Sequence, residues 1–445
     1  MITIKGKYNE ATAYVDIIEE QCLSQLYNIC KQKIFKDTSI KVMPDTHAGK
    51  GSVIGFTCAN LDYVIPNIIG VDIGCGMEVT ELGKLEINFE ELDKFIIKNI
   101  PASININKTV DKGVPKEWKE TLLELSEKFN YDIRKALKAL GSLGGGNHFI
   151  EINEGKDDQR YLVIHSGSRK LGNETALYYQ RKAEKYCKEM REQTEKDSIY
   201  HVPKELSFLE GEMAKEYLEA MKLVQKYADL NRKIMSRRIV EFLNLEYGEL
   251  EKFSAVHNYY DFEDKIIRKG AIAAKEGQKL IIPINMRDGS ILAVGKNNKD
   301  WNYSAPHGAG RLMSRGQAKG RITLEEFENS MKGVYTSSVK RSTIDEAPMA
   351  YKPIDSILKN LDEANITNIV VKKDYRNKGI GTMLLKHLIL EAKKQNLLTI
   401  TLEVNEKNKN AILLYKKFKF EELGIRKKYY NNTDNAIIMT LNLKS

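Results

Sequence analysis

The sequence predicts an α+β protein: a mixed-sheet core with inserted helices, followed by a truncated α/β half-domain. Three observations carry that expectation. Gly-, His- and Asp-rich blocks with short apolar runs occupy residues 40–80, 141–173 and 255–315. Between them lie charged stretches, 115–139 and 173–243, in which apolar residues recur at helical spacing. Near residue 360 the text changes to a compact strand–loop–helix–strand pattern. Strand-rich blocks interrupted by long helices describe an α+β domain, and the change of text divides the chain into domains 1–360 and 361–445.

Each element follows from local pattern. The 445 residues, 42% hydrophobic and 29% charged, are enough for two or three domains with ample core. The apolar runs are too short to span a bilayer. Residues 174–242 are nearly free of Gly and Pro and read as two or three helices. Residues 351–364 read as a helix leaving the first domain. Beyond it, 366–371 reads as a strand, 376–381 as a loop and 382–395 as an amphipathic helix. A strand at 398–404, a helix at 408–418 and a strand at 436–443 follow.

Charge is divided unevenly. The chain carries 70 Lys and Arg against 61 Asp and Glu, a net charge of +9. Residues 365–445 hold 16 of the former and 7 of the latter, so the entire surplus lies there and residues 1–364 are neutral. A phosphate-rich partner of the larger part must therefore be gripped by a local site, not by bulk charge. The first ten residues lack a basic-then-apolar leader. Five cysteines, at 22, 30, 58, 75 and 187, are odd in number and have no CxxC spacing, which argues against a disulfide framework or a zinc finger. The expected compartment is cytoplasmic.

Five of the seven histidines fall inside Gly-rich blocks. The blocks are 42–51 (VMPDTHAGKG), 70–77 (GVDIGCGM), 144–151 (GGGNHFIE), 165–169 (HSGSR), 256–258 (VHN) and 304–311 (SAPHGAGR). Glycine lets a backbone approach a bound anion or metal closely. Imidazole, thiolate and carboxylate together suit a mid-row divalent ion such as Mn²⁺ or Zn²⁺. Dispersed as they are, spacing alone does not show that these donors converge.

These blocks, in this order and over about residues 1–357, resemble the RtcB family of RNA-splicing ligases. The resemblance implies a GTP- and metal-dependent enzyme of RNA repair or tRNA splicing. It would join RNA ending in a 3′-phosphate or 2′,3′-cyclic phosphate to RNA with a 5′-hydroxyl. Carried over to matching positions, it implies two Mn²⁺ ions bridged by Cys75, with Asp72 and His148 completing one and His165 and His257 the other. It implies that His307 becomes guanylylated and that Asp45 hydrogen-bonds its imidazole. Asn147 and Arg311 match phosphate-contacting groups, Glu151 a carboxylate at the guanine edge, and Ser304 the nucleotide-pocket lining. An activating partner of the archease type is also implied. One departure stands out. Relatives end in a short tail whose lysine approaches the guanine; here that tail is replaced, leaving Lys359 or Lys444 as substitutes. One alternative is a metal-dependent phosphoesterase that opens cyclic phosphates without ligating; another is a bifunctional protein in which the C-terminal segment also binds acetyl-CoA.

The last part, with RNKGIG at 376–381 between a strand and a helix and NKNAILLY at 408–415, resembles the GNAT N-acetyltransferases. A Gly-rich turn entering a helix offers backbone N–H groups to phosphate. The resemblance implies that Arg376, Gly379 and Gly381 hold the pyrophosphate of acetyl-CoA and that Tyr415 protonates the departing thiolate. It covers about 80 residues, roughly half of such a domain. Lys419 stands where a glycine is usual.

Overall fold

The structure, a computed structural model, describes residues 1–15, 17–129, 131–155, 158–354, 357, 382, 385–386, 389–390, 399–430 and 434–443. The chain separates into two compact units, Met1–Val370 and Val371–Ser445.

The first unit is mixed α and β, as expected. Its larger sheet has six strands in the order Ile2–Lys5, Glu10–Ala13, Ser39–His47, Ile54–Ala59, Ile266–Lys269 and Asn258–Asp261. Only the Glu10–Ala13 and Ser39–His47 pair is parallel. The second sheet is antiparallel, in the order Phe149–Glu154, Gln159–Ser166, Gly76–Lys84 and Lys252–Val256. Two short ribbons complete the set among the described residues: Ala271–Ala273 with Ser304–Pro306, and Lys279–Asn285 with Gly289–Val294.

The helix-rich stretch 174–242 resolves into two long helices, Arg169–Gln193 and Gly211–Phe242, separated by a 3₁₀ turn at Lys204–Leu206. The second buries Tyr217, Ala220, Met221, Val224, Tyr227 and Ala228 along one stripe, the i, i+3, i+4 pattern of a helix with one face against a core. Residues 115–139 form three short helices, Trp118–Thr121, Leu123–Phe129 and Ile133–Ala139. Asp132 caps the last by accepting from Arg134 N at 2.8 Å. Among the described residues no helix is long and apolar enough to cross a membrane.

In the second unit, strands Thr399–Asn405, Asp434–Asn442 and Glu421–Tyr430 form an antiparallel sheet in that order, beside helix Lys409–Lys417. Asn408 caps this helix, accepting from Ala411 N at 3.2 Å. The strand Glu421–Tyr430 has no counterpart in the sequence reading, because its run of Lys, Arg and Glu hides the alternation. Lys419 adopts φ +66, the left-handed region that glycine tolerates best. The small core contains Leu385, Val404, Phe420, Met439 and Leu441. The strand expected at 366–371 and the loop at 376–381 lie outside the described residues, as does most of 382–395.

Candidate metal centre

Antiparallel pairing explains how dispersed donors meet. Cys75 immediately precedes strand Gly76–Lys84, and His148 immediately precedes Phe149–Glu154. His165 is next to last in Gln159–Ser166, and His257 follows directly on Lys252–Val256. The register sets Gly76 opposite both Ser166 and Val256, and Phe149 opposite His165. Alternate strands run in opposite directions, so two beginnings and two ends fall at the same edge of the sheet. His257 is also the joint between the sheets, because Asn258–Asp261 begins the outer strand of the larger one.

Asp72 joins from the turn before Cys75, whose N–H donates to Asp72 O at 3.1 Å. Gly74 within that turn has φ +73, and a Cβ there would fall 2.9 Å from Gln225 Cα of the long helix. Only glycine permits both the turn and the approach.

The donor atoms face one another. Cys75 Sγ lies 3.4 Å from His148 Nε2 and 3.4 Å from His165 Nε2. Asp72 Oδ2 lies 3.1 Å from His148 Nε2, and His257 Nε2 lies 3.4 Å from His165 Nε2. Cys75, His148 and His165 form a group able to hold a metal ion. Donors bound at about 2.0–2.3 Å to one cation, with angles between octahedral and tetrahedral, stand about 2.8–3.8 Å apart. The observed spacings fit: Asp72 lies against His148, Cys75 against both His148 and His165, and His257 against His165. His148 Nδ1 is 2.9 Å from Leu143 O and His165 Nδ1 is 3.0 Å from Asn147 O. Those carbonyls accept N–H bonds and leave each Nε2 with its lone pair.

Electrostatics agree with that use. Burial holds His165 and His257 well below the ordinary imidazole range, with neighbouring imidazoles adding to the effect. Burial, followed by the charge of Asp72, pushes the Cys75 thiol well above its usual range. At Asp72 burial pulls upward but is outweighed by His148, Cys75 and the Ser168 N–H, so the carboxyl lies below its usual range. Neutral imidazoles and a carboxylate stand ready as ligands, while the thiol loses its proton only as a cation replaces it.

A fourth imidazole adjoins the cluster. His307 follows the ribbon strand Ser304–Pro306, and its ring centroid is 4.8 Å from that of His257. Its Nδ1 is 2.6 Å from Asp45 Oδ2, which also accepts from the His307 backbone N–H at 3.1 Å. Asp45 is fully buried, and its Oδ1 has no hydrogen-bond partner. Gly270 lies against this ring: it has φ +62, and a Cβ there would come within 3.2 Å of His307 Cε1 and 2.2 Å of Ile54. His47 packs behind, with Nδ1 3.1 Å from Asp45 O. Sequence reasoning missed Lys352, whose Nζ donates to Pro44 O at 3.0 Å while its N–H donates to Gly310 O.

The remaining candidates are placed differently. Asn147 is exposed, and its carbonyl orients His165. Glu151 accepts from Asn153 Nδ2 at 2.7 Å and from Ser290 Oγ at 3.1 Å. Ser304 Oγ is taken up internally, accepting from Arg268 Nε and donating to Asn302 O. The Arg311 guanidinium donates to Met313 O, Tyr351 Oη and Asp345 O, and lies over the Tyr351 ring. Tyr415 packs on Phe420 in the second unit. Arg376, Gly379 and Gly381 lie outside the described residues.

A buried thiol between two pairs of N/O donors, with a carboxylate-backed histidine beside them, is the constellation of a metal-dependent phosphoryl- or nucleotidyl-transferring enzyme. Comparison with known proteins makes the class specific. The family model described as tRNA-splicing ligase RtcB matches residues 25–375, and the chain belongs to the RtcB family of RNA ligases. It is similar to RNA-splicing ligase RtcB of Escherichia coli K12, with 34% identity over 377 residues covering 77% of this chain and 90% of that protein. It is also similar to tRNA-splicing ligase RtcB of Nanoarchaeum equitans, 28% identical and covering 80% and 89% of the two chains. Residues 348–420 match the acetyltransferase (GNAT) family model. Among solved structures, the ribosomal-protein-S18-alanine N-acetyltransferase of Escherichia coli is 42% identical over 18% of this chain and 52% of its own, with a TM-score of 0.17. The chain thus spans about half the length of that acetyltransferase.

Proposed function

We propose that this chain is a GTP- and Mn²⁺-dependent ligase that joins RNA 3′-phosphate or 2′,3′-cyclic phosphate ends to 5′-hydroxyl ends through a histidine–GMP intermediate, in RNA repair or tRNA splicing in the cytoplasm. The observation that carries the reading is His307, held by buried Asp45 one ring away from the donor cluster. Two Mn²⁺ ions held by Asp72, Cys75, His148, His165 and His257 would neutralise phosphate charge in such a site.

The Asp45 carboxylate accepts the Nδ1–H of His307, which leaves the Nε2 lone pair free and stabilises positive charge on the ring as it reacts. His307 Nε2 attacks the α-phosphorus of GTP, and pyrophosphate leaves with the electron pair of the broken P–O bond. GMP then passes from Nε2 to an oxygen of the RNA 3′-phosphate. The 5′-hydroxyl attacks that activated phosphorus, loses its proton and displaces GMP. A cyclic end is first opened by water to the 3′-phosphate. Asn147, Glu151, Ser304 and Arg311 are assigned to the nucleotide pocket, where Arg311 would exchange an internal partner for phosphate.

The test is incubation with Mn²⁺ and α-labelled GTP followed by a denaturing gel. Label should stay on the wild-type chain and vanish in His307→Ala. An unlabelled wild-type chain with metal bound would favour the phosphoesterase alternative.

We assign residues 1–360 to this activity and 361–445 to a GNAT-like segment that binds acetyl-CoA through Arg376, Gly379, Gly381 and Tyr415, a reading supported by the family match over 348–420. Calorimetry should show acetyl-CoA binding that is lost in Gly379→Asp.

A further inference from the structure

Three of the donor-bearing segments converge on two consecutive residues of the long helix Gly211–Phe242. These are Asn231 and Arg232, both fully buried. Asn231 Oδ1 accepts from Gly141 N at 2.8 Å and Ser142 N at 3.1 Å. Its Nδ2 lies 3.1 Å from each of Ser142 O, Ser166 Oγ and Gly167 O. Arg232 Nη1 donates to Gly74 O and to Ser166 O, both at 2.8 Å.

Gly74 precedes Cys75, and Ser166 follows His165. The third segment is reached by relay: Ser166 Oγ donates to Leu143 O at 2.7 Å, the carbonyl that holds His148 Nδ1. Five protein groups crowd one amide, and a single guanidinium nitrogen bridges the turn before Cys75 and the end of strand Gln159–Ser166.

Packing alone does not account for this choice. Both residues sit on the apolar stripe of the helix, where an aliphatic side chain would serve the core. A buried guanidinium is retained at a cost unless it is well paired. Here Nε and Nη2 have no hydrogen-bond partner, and the nearest carboxylate, Asp229, stands 4.0 Å from Nη2. Coulomb repulsion from a cation at the centre would also oppose an arginine in this place. What the pair supplies is geometry. It ties the main chain just before Cys75 to that just after His165 and, through Ser166 Oγ, to the Leu143 carbonyl behind His148.

We propose that Asn231 and Arg232 are positioning residues for the metal centre, holding the segments of Cys75, His148 and His165 in ligating register; this rests on the metal-binding reading above. Removal of groups that orient metal ligands typically weakens metal affinity about 10–100-fold.

The experiment is a Co²⁺ titration of the metal-stripped full chain, followed by thiolate-to-cobalt absorption, with thermal unfolding of the same samples. The wild type should bind two Co²⁺ with a thiolate band. Arg232→Lys and Asn231→Ala should bind about 10–100-fold more weakly, with the band reduced at equal occupancy, and Arg232→Met more weakly still. Val224→Ala, a buried change on the same helix, is the control for lost stability alone.

Wild-type affinity and spectrum in both Arg232→Lys and Asn231→Ala would overturn the proposal. So would losses that merely track unfolding, as in the control. If Arg232→Met does not fold, the other two variants decide. A wild type without a thiolate–cobalt band would instead remove the metal-centre reading itself, a distinct result.

Discussion

The two units place their charges in opposite ways. In the first, which is neutral overall, the decisive polar groups are buried: Asp45, His165, Asn231, Arg232, His257 and Arg268 all lie inside. In the second, the surplus of +9 comes from side chains such as Lys407, Lys409, Lys416, Lys417 and Lys419, which the described surface exposes or half-exposes. Net charge therefore points away from the site. A buried polar group persists only where it is paired or has work to do, so burial locates the chemistry here and composition does not.

The largest test of that contrast removes Cys75, the thiol against which His148 and His165 lie. Cys75→Ala should weaken metal binding more than about 100-fold, beyond the range for orienting groups, and abolish GMP labelling. Calorimetric metal titration alongside the labelling gel checks both. Retained labelling would deny the first unit its centre.

Next in size is Asp45→Asn. The amide keeps the shape but no longer fixes the Nδ1–H tautomer, so GMP transfer should fall about 10⁴-fold, as when a carboxylate behind a catalytic histidine is neutralised. Metal affinity should stay within about twofold, because Asp45 touches no donor of the cluster. Single-turnover labelling rates separate the two effects.

A pH dependence of stability should follow from His165 and His257. Burial holds both well below the ordinary range when folded. The unfolded chain takes up protons below about pH 6.5 and the folded chain does not until lower. Their contribution is therefore complete above about pH 6.5 and is lost as pH falls, at up to about 1.4 kcal/mol per unit for each. The Tm of the metal-stripped protein should drop on acidification, and His257→Gln should flatten the slope.

The smallest effect belongs to the second unit. Lys419 holds φ +66, a conformation that costs an L side chain about 1–2 kcal/mol. Lys419→Gly should stabilise that unit by about 1 kcal/mol, less the added freedom of glycine when unfolded. Chemical denaturation reads the gain, and cobalt binding by the first unit should not change.

Much of the α+β organisation was legible because periodicity is local. The helical stretch 174–242 shows its stripe, and the Gly-rich blocks announce tight turns. The meeting of Cys75, His148, His165 and His257 was not legible from spacing, since it depends on strand register across residues far apart in the chain. Family resemblance supplied the grouping, and the edge of the four-stranded sheet supplies its physical cause. Asn231 and Arg232 did leave a trace: two polar residues on an apolar stripe, in a helix otherwise read as scaffold. Lys352 left none, because its partner is a backbone carbonyl. Strand Glu421–Tyr430 was lost among its charges.

His307 is the proposed nucleophile beside the donor cluster of the first unit. Mass-spectrometric mapping of the chain after incubation with GTP and Mn²⁺, digested under alkaline conditions that preserve a phosphoramidate, tests it directly. A GMP adduct on His307 is the predicted result; an adduct on a lysine, or none on a metal-loaded chain, would contradict it.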